Sequence, residues 1–243
     1  QGLRTLFKTD GLGGVVQQIT PMSDLSDFQW FWHSEQSHGV LLDDEANYQF
    51  DLSKELPIRI RFIDDPKHRK QILSFLVHHM VIDEWSLNTI MNDLRIAYKS
   101  RLENKESEWD EPAYSIVDYA LFQKENNLSS THRTYWKNQL EGAPYGLNVS
   151  DPNPIENGNL LSTEAKSISV IFGHEIYEKL LVLAKKHNGS VFTMLYAAIV
   201  LSLFKAGHKQ DLVIGTSASG RMEEKYMNAV GYFTTMVAHR MPF

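Results

Sequence analysis

The sequence His78-His79-Met80-Val81-Ile82-Asp83-Glu84-Trp85-Ser86 lies where the hydrophobic pattern of the chain changes. The apolar run 72–77 before it predicts a buried β-strand. After it, apolar residues recur at the spacing of one helix face, which predicts a helix over 87–101. Two imidazoles and a carboxylate are therefore expected on the turn between a strand and a helix. There a rigid element aims the side chains and a loop keeps them accessible.

The rest of the chain also mixes strand and helix patterns, which predicts an α/β architecture. Strand 58–63 is expected to pair antiparallel with the strand before His78, because only a short turn separates them. The glycines at 11–14 predict a hairpin turn, since their spacing does not match a phosphate-binding G-x-G-x-x-G loop. Further strands are expected at 3–7, 15–19, 167–172 and 211–215. Helices are expected over part of 22–49, over 174–187 and over 191–205, with one more that begins at 114 and another that ends at 140.

The longest apolar stretch, 191–204, is shorter than the run of about 18 apolar residues that a membrane span needs. We interpret it as a helix buried on most sides. Residues 145–163 are rich in Asn, Pro, Gly and Ser and show no periodicity, which is typical of a boundary between domains. The sequence therefore predicts two regions, 1–160 and 161–243.

Composition limits the classes of function. The chain has 243 residues, 42% of them hydrophobic, which is enough for a sizeable core. Its net charge of −6 and scattered basic residues give no electrostatic footprint for nucleic acid. It has no cysteine, so disulfides, thiolate catalysis and cysteine-bound metals are excluded. We expect a cytoplasmic, soluble protein with no membrane partner. The start Gln1-Gly2-Leu3-Arg4 resembles that of an excised piece.

Two catalytic interpretations of the histidine stretch are disfavoured by geometry. Adjacent residues on a strand point to opposite faces, so His78 and His79 are poorly placed to bind one ion, and no metal is expected. A hydrolytic triad of Ser86, His79 and Asp83 lacks the nucleophile elbow that would expose the serine.

The polar side chains of the stretch have distinct expected roles. His78 is expected to face inward and to brace the turn by hydrogen bonding. His79 and Asp83 together favour a functional site, because polar groups are costly when left unpaired inside a protein. Asp83 can cap the following helix or pair with an arginine, and neither role excludes the other. Trp85 and Tyr114 are interpreted as packing residues.

The stretch resembles the core motif of condensation domains of nonribosomal peptide synthetases, H-H-x-x-x-D-G with a similar tail. Other segments resemble that family's motifs, and they occur in the same order along nearly the whole chain. They are Leu3-Arg4-Thr5-x-Phe7, Phe50-Asp51-Leu52 with Pro57 and Arg59, Tyr114-x-x-x-Asp118-Tyr119, Tyr135-Trp136 with Leu140-x-Gly142-Ala143-Pro144, Gly215-Thr216, Gly220-Arg221 and Val230-Gly231-Tyr232-Phe233.

The resemblance implies two lobes, each like chloramphenicol acetyltransferase, that form a V with a tunnel between them. This chain would supply the N-terminal lobe, 1–160, and an incomplete C-terminal lobe, 161–243. A complete family member is about twice as long, so the chain alone is expected to be marginally stable.

The resemblance also implies a reaction in which an acceptor amine attacks a donor thioester and forms an amide. Both groups would be carried on the phosphopantetheine arms of carrier proteins, with no cofactor bound directly. His79 occupies the position of the catalytic histidine, and His78 supports it. Asp83 matches an aspartate that pairs with an arginine, for which Arg4 and Arg221 are the candidates. The implied partners are donor and acceptor carrier proteins and an adenylation domain, with a tailoring enzyme as a further candidate.

One position departs from the family pattern: Glu84 stands where the family has glycine. A carboxylate there could turn to solvent, contact a cationic acceptor or block the tunnel. In the last case the domain would only recruit a carrier or tailoring protein. An epimerisation domain and a free-standing acetyltransferase that uses coenzyme A are two more candidates. The further signatures of the first are not found in the sequence, and the ordered synthetase motifs argue against the second.

Overall fold

The computed structural model describes residues 1–34, 38–109, 114–126, 129–144, 167–206 and 211–242, except for the side chains of 38–41. Its strands are β1 (Thr5–Thr9), β2 (Val15–Ile19), β3 (Phe31–Ser34), β4 (Ile58–Asp65), β5 (Lys70–Val77), β6 (Asp211–Ala218) and β7 (Thr235–Pro242). Its helices are α1 (His38–Ala46), α2 (Glu84–Leu102), α3 (Ile116–Glu125), α4 (Ser130–Leu140), α5 (His174–Lys186) and α6 (Val191–Lys205). The predicted α/β class is confirmed.

The strand before the histidines lies at one side of a three-stranded sheet of order β3-β4-β5. β4 and β5 pair antiparallel, from Ile58 opposite Val77 to Asp65 opposite Lys70, as the sequence predicts. β3 is parallel to β4 and lies in the segment 22–49, which was expected to be helical in part and does contain α1. The end of β5, and with it the histidine turn, is thus held by a regular ladder of backbone hydrogen bonds.

β1 and β2 form the predicted antiparallel hairpin. Gly11 and Gly13 adopt φ angles of 78° and 87°, which side chains with a Cβ rarely adopt. The carboxylate of Asp10 accepts hydrogen bonds from the backbone N–H groups of Leu12 and Gly14. The turn is therefore closed by its own aspartate and has no need of a bound phosphate.

α1 is tied to the sheet through a buried carboxylate. Glu45 is 5% exposed and accepts hydrogen bonds from Arg59 and Arg61 of β4. The guanidinium of Arg59 also lies 4.0 Å from the ring centroid of Trp32 and 3.7 Å from that of Tyr48. Charge pairing and ring contacts thus make up for the desolvation of this carboxylate.

The chain divides into two compact units. One consists of Gln1–Asn127 with Ser217–Met236, and the other of Leu128–Thr216 with Val237–Phe243. The division at residue 160 expected from the sequence falls in 145–166, outside the described residues. In the second unit α5 and α6 pack against each other, and Ala184 and Val200 are buried.

Two expectations for the second unit are wrong. Residues 167–172 form no strand, and Ile168 and Ile171 are 90% and 93% exposed. α6 has the predicted bounds but is not buried on most sides, since Phe192 and Ile199 are 64% and 56% exposed. Apolar sequence favours burial only where a complementary surface is present, and none covers these faces within the described part of the chain.

Among the described helices, no single one is long and apolar enough to cross a bilayer. α5 and α6 meet that criterion only as a pair, which is bent by 98°.

Candidate active site

The turn that carries both histidines is fixed where it leaves the sheet. The N–H of His78 donates to the carbonyl of Pro57 at 2.9 Å. A single 3-10 turn, His79–Val81, follows, and Nδ1 of His78 accepts a hydrogen bond from the Met80 N–H at 3.2 Å. His78 therefore caps the turn that orients His79.

Asp83 is both the cap of α2 and the partner of an arginine. Asp83 is 2% exposed. Its Oδ1 accepts a hydrogen bond from the Ser86 backbone N–H at 3.0 Å and another from the Ser86 hydroxyl at 2.7 Å. Arg221 donates to both carboxylate oxygens, at 2.6 Å to Oδ2 and 2.9 Å to Oδ1. The two roles that the sequence left open thus coexist on one carboxylate.

The environment of Asp83 keeps it ionised. Burial alone would raise the pKa of this carboxyl, but the hydrogen bonds from Arg221 and Ser86 act in the opposite direction and outweigh it. The backbone N–H of Phe233 adds a further hydrogen bond at 3.0 Å. The pKa of Asp83 is therefore held well below its ordinary value, so Asp83 is not a proton carrier near neutral pH.

Arg221 reaches Asp83 because the backbone before it is unusually close to the backbone of Phe233. Gly220 has a φ of 69°, and a Cβ there would lie 1.8 Å from the carbonyl oxygen of Phe233. The Gly220 carbonyl accepts a hydrogen bond from the Tyr119 hydroxyl at 2.9 Å. The guanidinium of Arg221 lies 4.3 Å from the ring centroid of Phe233. Glycine is thus needed at 220 to place the arginine.

Of the two arginines proposed as partners of Asp83, only Arg221 fills that role. Arg4 instead donates from its guanidinium to the backbone carbonyl of Thr20, and its own carbonyl accepts the Thr20 N–H at 2.8 Å. Arg4 therefore ties the turn before β1 to the end of β2.

Ser86 completes a buried polar junction, the name used below for Asp83, Ser86 and Arg221. Its hydroxyl oxygen accepts hydrogen bonds from the Gly231 N–H at 3.1 Å and from Arg221 at 2.9 Å, and Ser86 is 0% exposed. An enclosed hydroxyl with these partners is unsuited to nucleophilic attack. Nε of Arg221 is the one junction atom without a hydrogen-bond partner in the described part of the chain.

His79 is oriented differently from His78. Its side chain is exposed, and its Nδ1 lies 2.8 Å from the backbone carbonyl oxygen of Ile82. A carbonyl oxygen only accepts, so this hydrogen bond places a proton on Nδ1 and leaves the lone pair of a neutral imidazole on Nε2. No hydrogen bond to Nε2 comes from the residues that the structure describes.

A cavity of about 500 Å³ lies beside His79 within the first unit. The imidazole of His79 and the phenol ring of Tyr232 meet at its wall, with ring centroids 5.4 Å apart and ring planes at 71°. Most of the other lining side chains are apolar, among them Phe7 and Ile116. The histidine thus faces a space large enough for a small organic group.

Glu84 does not fill this cavity. It is the first residue of α2, its side chain is exposed, and it is not among the residues that line the space beside His79. A carboxylate in the first turn of a helix is favourably placed against the helix dipole. Of the three roles open from the sequence, the geometry of the described residues favours a side chain turned to solvent.

The described residues contain no group of three His, Asp or Glu side chains that could hold a metal ion. Sequence reasoning weighed Ser86 only as a nucleophile, and so missed its role in the buried junction, and it did not name Tyr232 as a site residue. A signal for Tyr232 was present, because Tyr232 lies in the segment 230–233 that resembles a family motif. What the sequence lacked was the proximity of that segment to His79, 153 positions earlier.

A family model described as the condensation domain matches residues 1–243, the whole chain. The chain belongs to the condensation-domain family. This match confirms the resemblance seen in the ordered motifs. Condensation domains of nonribosomal peptide synthetases are acyltransferases that form amide bonds.

Relatives with similar sequence are large synthetases. The isonitrile lipopeptide synthase of Mycobacterium tuberculosis is 26% identical over 258 residues, which cover 99% of this chain and 10% of that protein. The dimodular nonribosomal peptide synthase of Bacillus subtilis is 29% identical over 208 residues, which cover 82% of this chain and 9% of that protein. This condensation-domain chain therefore spans a small part of the length of the relatives it matches.

Solved structures confirm the chloramphenicol-acetyltransferase-like fold. The X-domain in its complex with OxyB from teicoplanin biosynthesis matches with a TM-score of 0.79 at 22% identity, covering 98% of this chain and 53% of that one. The epimerization domain from the third module of tyrocidine synthetase B matches with a TM-score of 0.78 at 19% identity, covering 98% and 56%. The first condensation domain of the calcium-dependent antibiotic synthetase matches with a TM-score of 0.77 at 15% identity, covering 100% of this chain and 56% of that one. The chain thus spans about half the length of these chains.

Proposed function

We propose that this condensation-domain chain carries the active site for amide formation between a donor acyl thioester and an acceptor amine, with His79 as the catalytic residue. The observation that carries the proposal is the hydrogen bond between Nδ1 of His79 and the Ile82 carbonyl at 2.8 Å. It fixes the tautomer and the ring orientation, so that Nε2 is the free, basic nitrogen at the wall of a cavity.

In the proposed reaction the acceptor amine attacks the carbonyl carbon of the donor thioester. A C–N bond forms and the C–S bond breaks, so the donor's phosphopantetheine arm leaves as a thiol. The nitrogen loses one proton and the departing sulfur gains one. Nε2 of His79 can orient the amine and accept its proton, while the cavity holds the two groups at reacting distance.

The polar junction supports this site without taking part in proton transfer. Asp83 is paired with Arg221 and stays ionised, so its role is to hold the loop between β5 and α2 in one geometry. His78 holds the same loop from its other end through the Met80 N–H. The substrates would arrive on carrier proteins, with an adenylation domain as the source of the activated groups.

A recruiting role is the second candidate, because Glu84 replaces the family's glycine and is exposed beside the site. In the solved X-domain structure the domain is in complex with OxyB, although a likeness at 22% identity shows the fold alone. In this second role the chain would bind a carrier or tailoring protein and form no amide.

The deciding experiment uses the natural protein with donor-loaded and acceptor-loaded carrier proteins, and follows the amide product by intact-protein mass spectrometry. His79→Ala is expected to lower the rate by about 10²- to 10⁴-fold, the range of general acid–base catalysis. His174→Ala, at an exposed histidine of α5, is the matched control and should leave the rate unchanged.

No product from the native protein with several loaded carriers would contradict the catalytic proposal. Glu84→Gly then separates two explanations for that silence. Product that appears only with Glu84→Gly would mean that the carboxylate blocks the site. Continued silence would favour the recruiting role.

A further inference from the structure

Tyr232 is the residue of the 230–233 segment that faces His79. Its ring meets the imidazole edge to face, with centroids 5.4 Å apart, and the residue is 45% exposed. The residues on either side differ from it, because Phe233 is 3% exposed and Gly231 is also buried. Tyr232 is thus the one side chain of this turn that is presented to the cavity.

The backbone of Tyr232 is fixed on both sides by the polar junction. The N–H of Gly231 donates to the Ser86 hydroxyl at 3.1 Å, and the N–H of Phe233 donates to Asp83 at 3.0 Å. A Cβ at Gly231 would lie 2.9 Å from the Phe233 ring and 3.1 Å from Ile116, so the turn is also closely packed. The junction therefore sets the place of the Tyr232 ring as well as that of the histidine loop.

The cavity that Tyr232 helps to form is apolar. The apolar side chains of Phe7, Met80, Val81 and Ile116 line it together with His79. No Asp, Glu, Lys or Arg side chain is among the described lining residues, so a charged group placed there would meet no acidic or basic side chain other than the imidazoles of His78 and His79. Because an unpaired charge is costly in an apolar space, the cavity favours uncharged groups.

We infer that Tyr232 is a specificity-determining residue: its ring closes the apolar cavity beside His79, so that amide formation favours carrier-bound groups with uncharged, apolar side chains. This inference rests on the proposed function and names the substrate class of that same site. The ring acts as a wall of fixed size, and its size limits which apolar side chain lies next to the imidazole.

The test is a substrate panel on the natural protein. Donor carriers loaded with Leu, Phe, Glu or Lys are compared against one fixed acceptor, and the acceptor is then varied in the same way. The native protein is expected to prefer Leu and Phe over Glu and Lys by at least tenfold in kcat/KM. Tyr232→Phe should keep that preference, because it keeps the ring. Tyr232→Ala should reduce the preference about tenfold, mainly through KM, because it opens the wall.

Tyr135→Ala, at a tyrosine of α4 that is 58% exposed, is the matched control and should retain the native preference. A second measurement does not depend on turnover. The NMR signal of the His79 Hε1 proton is followed while non-reactive pantetheine amides of Leu and of Glu are added. The Leu probe is expected to bind at least tenfold more tightly in the native protein, and this difference should fall in Tyr232→Ala.

The outcomes separate the inference from the proposed function. Amide formation with a preference that Tyr232→Ala leaves intact would overturn the inference and keep the function. No amide, but probe binding whose selectivity depends on Tyr232, would overturn the function and keep the inference. No amide and no Tyr232-dependent selectivity would overturn both.

Discussion

In the polar junction Asp83 and Arg221 are 2% and 3% exposed, whereas on α6 Phe192 and Ile199 are 64% and 56% exposed. Charged residues lie inside one region and large apolar residues lie outside in the other. Each junction side chain meets a partner with matching donors or acceptors, and the outer face of α6 meets no such surface in the described residues. Burial in this chain follows complementarity between segments more closely than residue type.

The difference has a functional consequence. The junction joins the histidine loop to the 220–234 segment, so it places His79 and Tyr232 relative to each other. We name the exposed apolar faces of α5 and α6, with Ile176, Val182, Phe192 and Ile199, the apolar helix pair. No residue of the candidate site is held in place by this surface. Changes in the two regions should therefore separate effects on the site from effects on surface behaviour.

The largest effect is expected from breaking the junction. Asp83→Ala leaves the buried guanidinium of Arg221 without its partner, which typically costs about 3–5 kcal/mol of unfolding free energy. The measurement is urea unfolding of the natural protein. Asp51→Ala is the control, because Asp51 and its partner Lys54 form an exposed pair at 2.8 Å, and it should shift the midpoint little.

A double variant sharpens this prediction. Asp83→Leu combined with Arg221→Met removes both charges, so it should recover part of the stability lost in Asp83→Ala. Equal midpoints for Asp83→Ala and Asp51→Ala would show that the junction is not the buried pair described above.

The same pair predicts a dependence on pH. The pKa of Asp83 is lowered in the folded protein, so its contribution to stability is fully present above its unfolded value of about 3.9. The contribution is lost as the pH falls below about 4 and protons bind more readily to the unfolded chain. We therefore expect the free energy of unfolding to fall more steeply below about pH 4 in the native protein than in Asp83→Asn.

The pH measurement should be made at low salt and again at about 1 M salt, where the Debye length is about 3 Å and exposed pairs are screened. The part of the slope that survives at high salt belongs to buried groups. Parallel pH profiles for the native protein and Asp83→Asn at high salt would contradict the assignment.

Local patterns were sufficient to predict most of the first unit. The apolar run 72–77 located β5, and the short turn before it predicted the antiparallel pairing with β4. The choice between Arg4 and Arg221 could not be made in this way, because both are far from Asp83 in sequence and only the fold shows that Arg4 bonds to Thr20 instead. The position of Tyr232 beside His79 could not be predicted for the same reason.

The second unit shows where hydrophobicity misleads. Residues 167–172 have the composition of a strand, but a strand needs a hydrogen-bonded neighbour, and no pairing is seen for them in the described residues. α6 is apolar on every side, which indicates burial only if a partner surface is available. Its helical bounds were predictable from sequence because helices are held by local hydrogen bonds, whereas its exposure was not.

The smallest effect is expected on the apolar helix pair, where two adjacent residues of α6 offer a matched comparison. Ile199 is 56% exposed and Val200 is 3% exposed. In the 243-residue chain, Ile199→Thr should change the free energy of unfolding by no more than about 0.5 kcal/mol, since it alters surface only. Val200→Thr keeps the side-chain volume but buries a hydroxyl, which costs about 1–3 kcal/mol when the hydroxyl finds no partner.

For self-association we expect the larger effect from Ile199→Thr and the smaller one from Val200→Thr, the reverse of their order for stability. Ile199→Thr removes part of an exposed apolar face, so it should lower the tendency of the chain to associate in sedimentation experiments, whereas Val200→Thr should not act through that face. An Ile199→Thr variant as destabilised as Val200→Thr would mean that this face is covered in solution. The contrast between the junction and the helix pair would then narrow to a difference in the kind of partner, polar for one and apolar for the other.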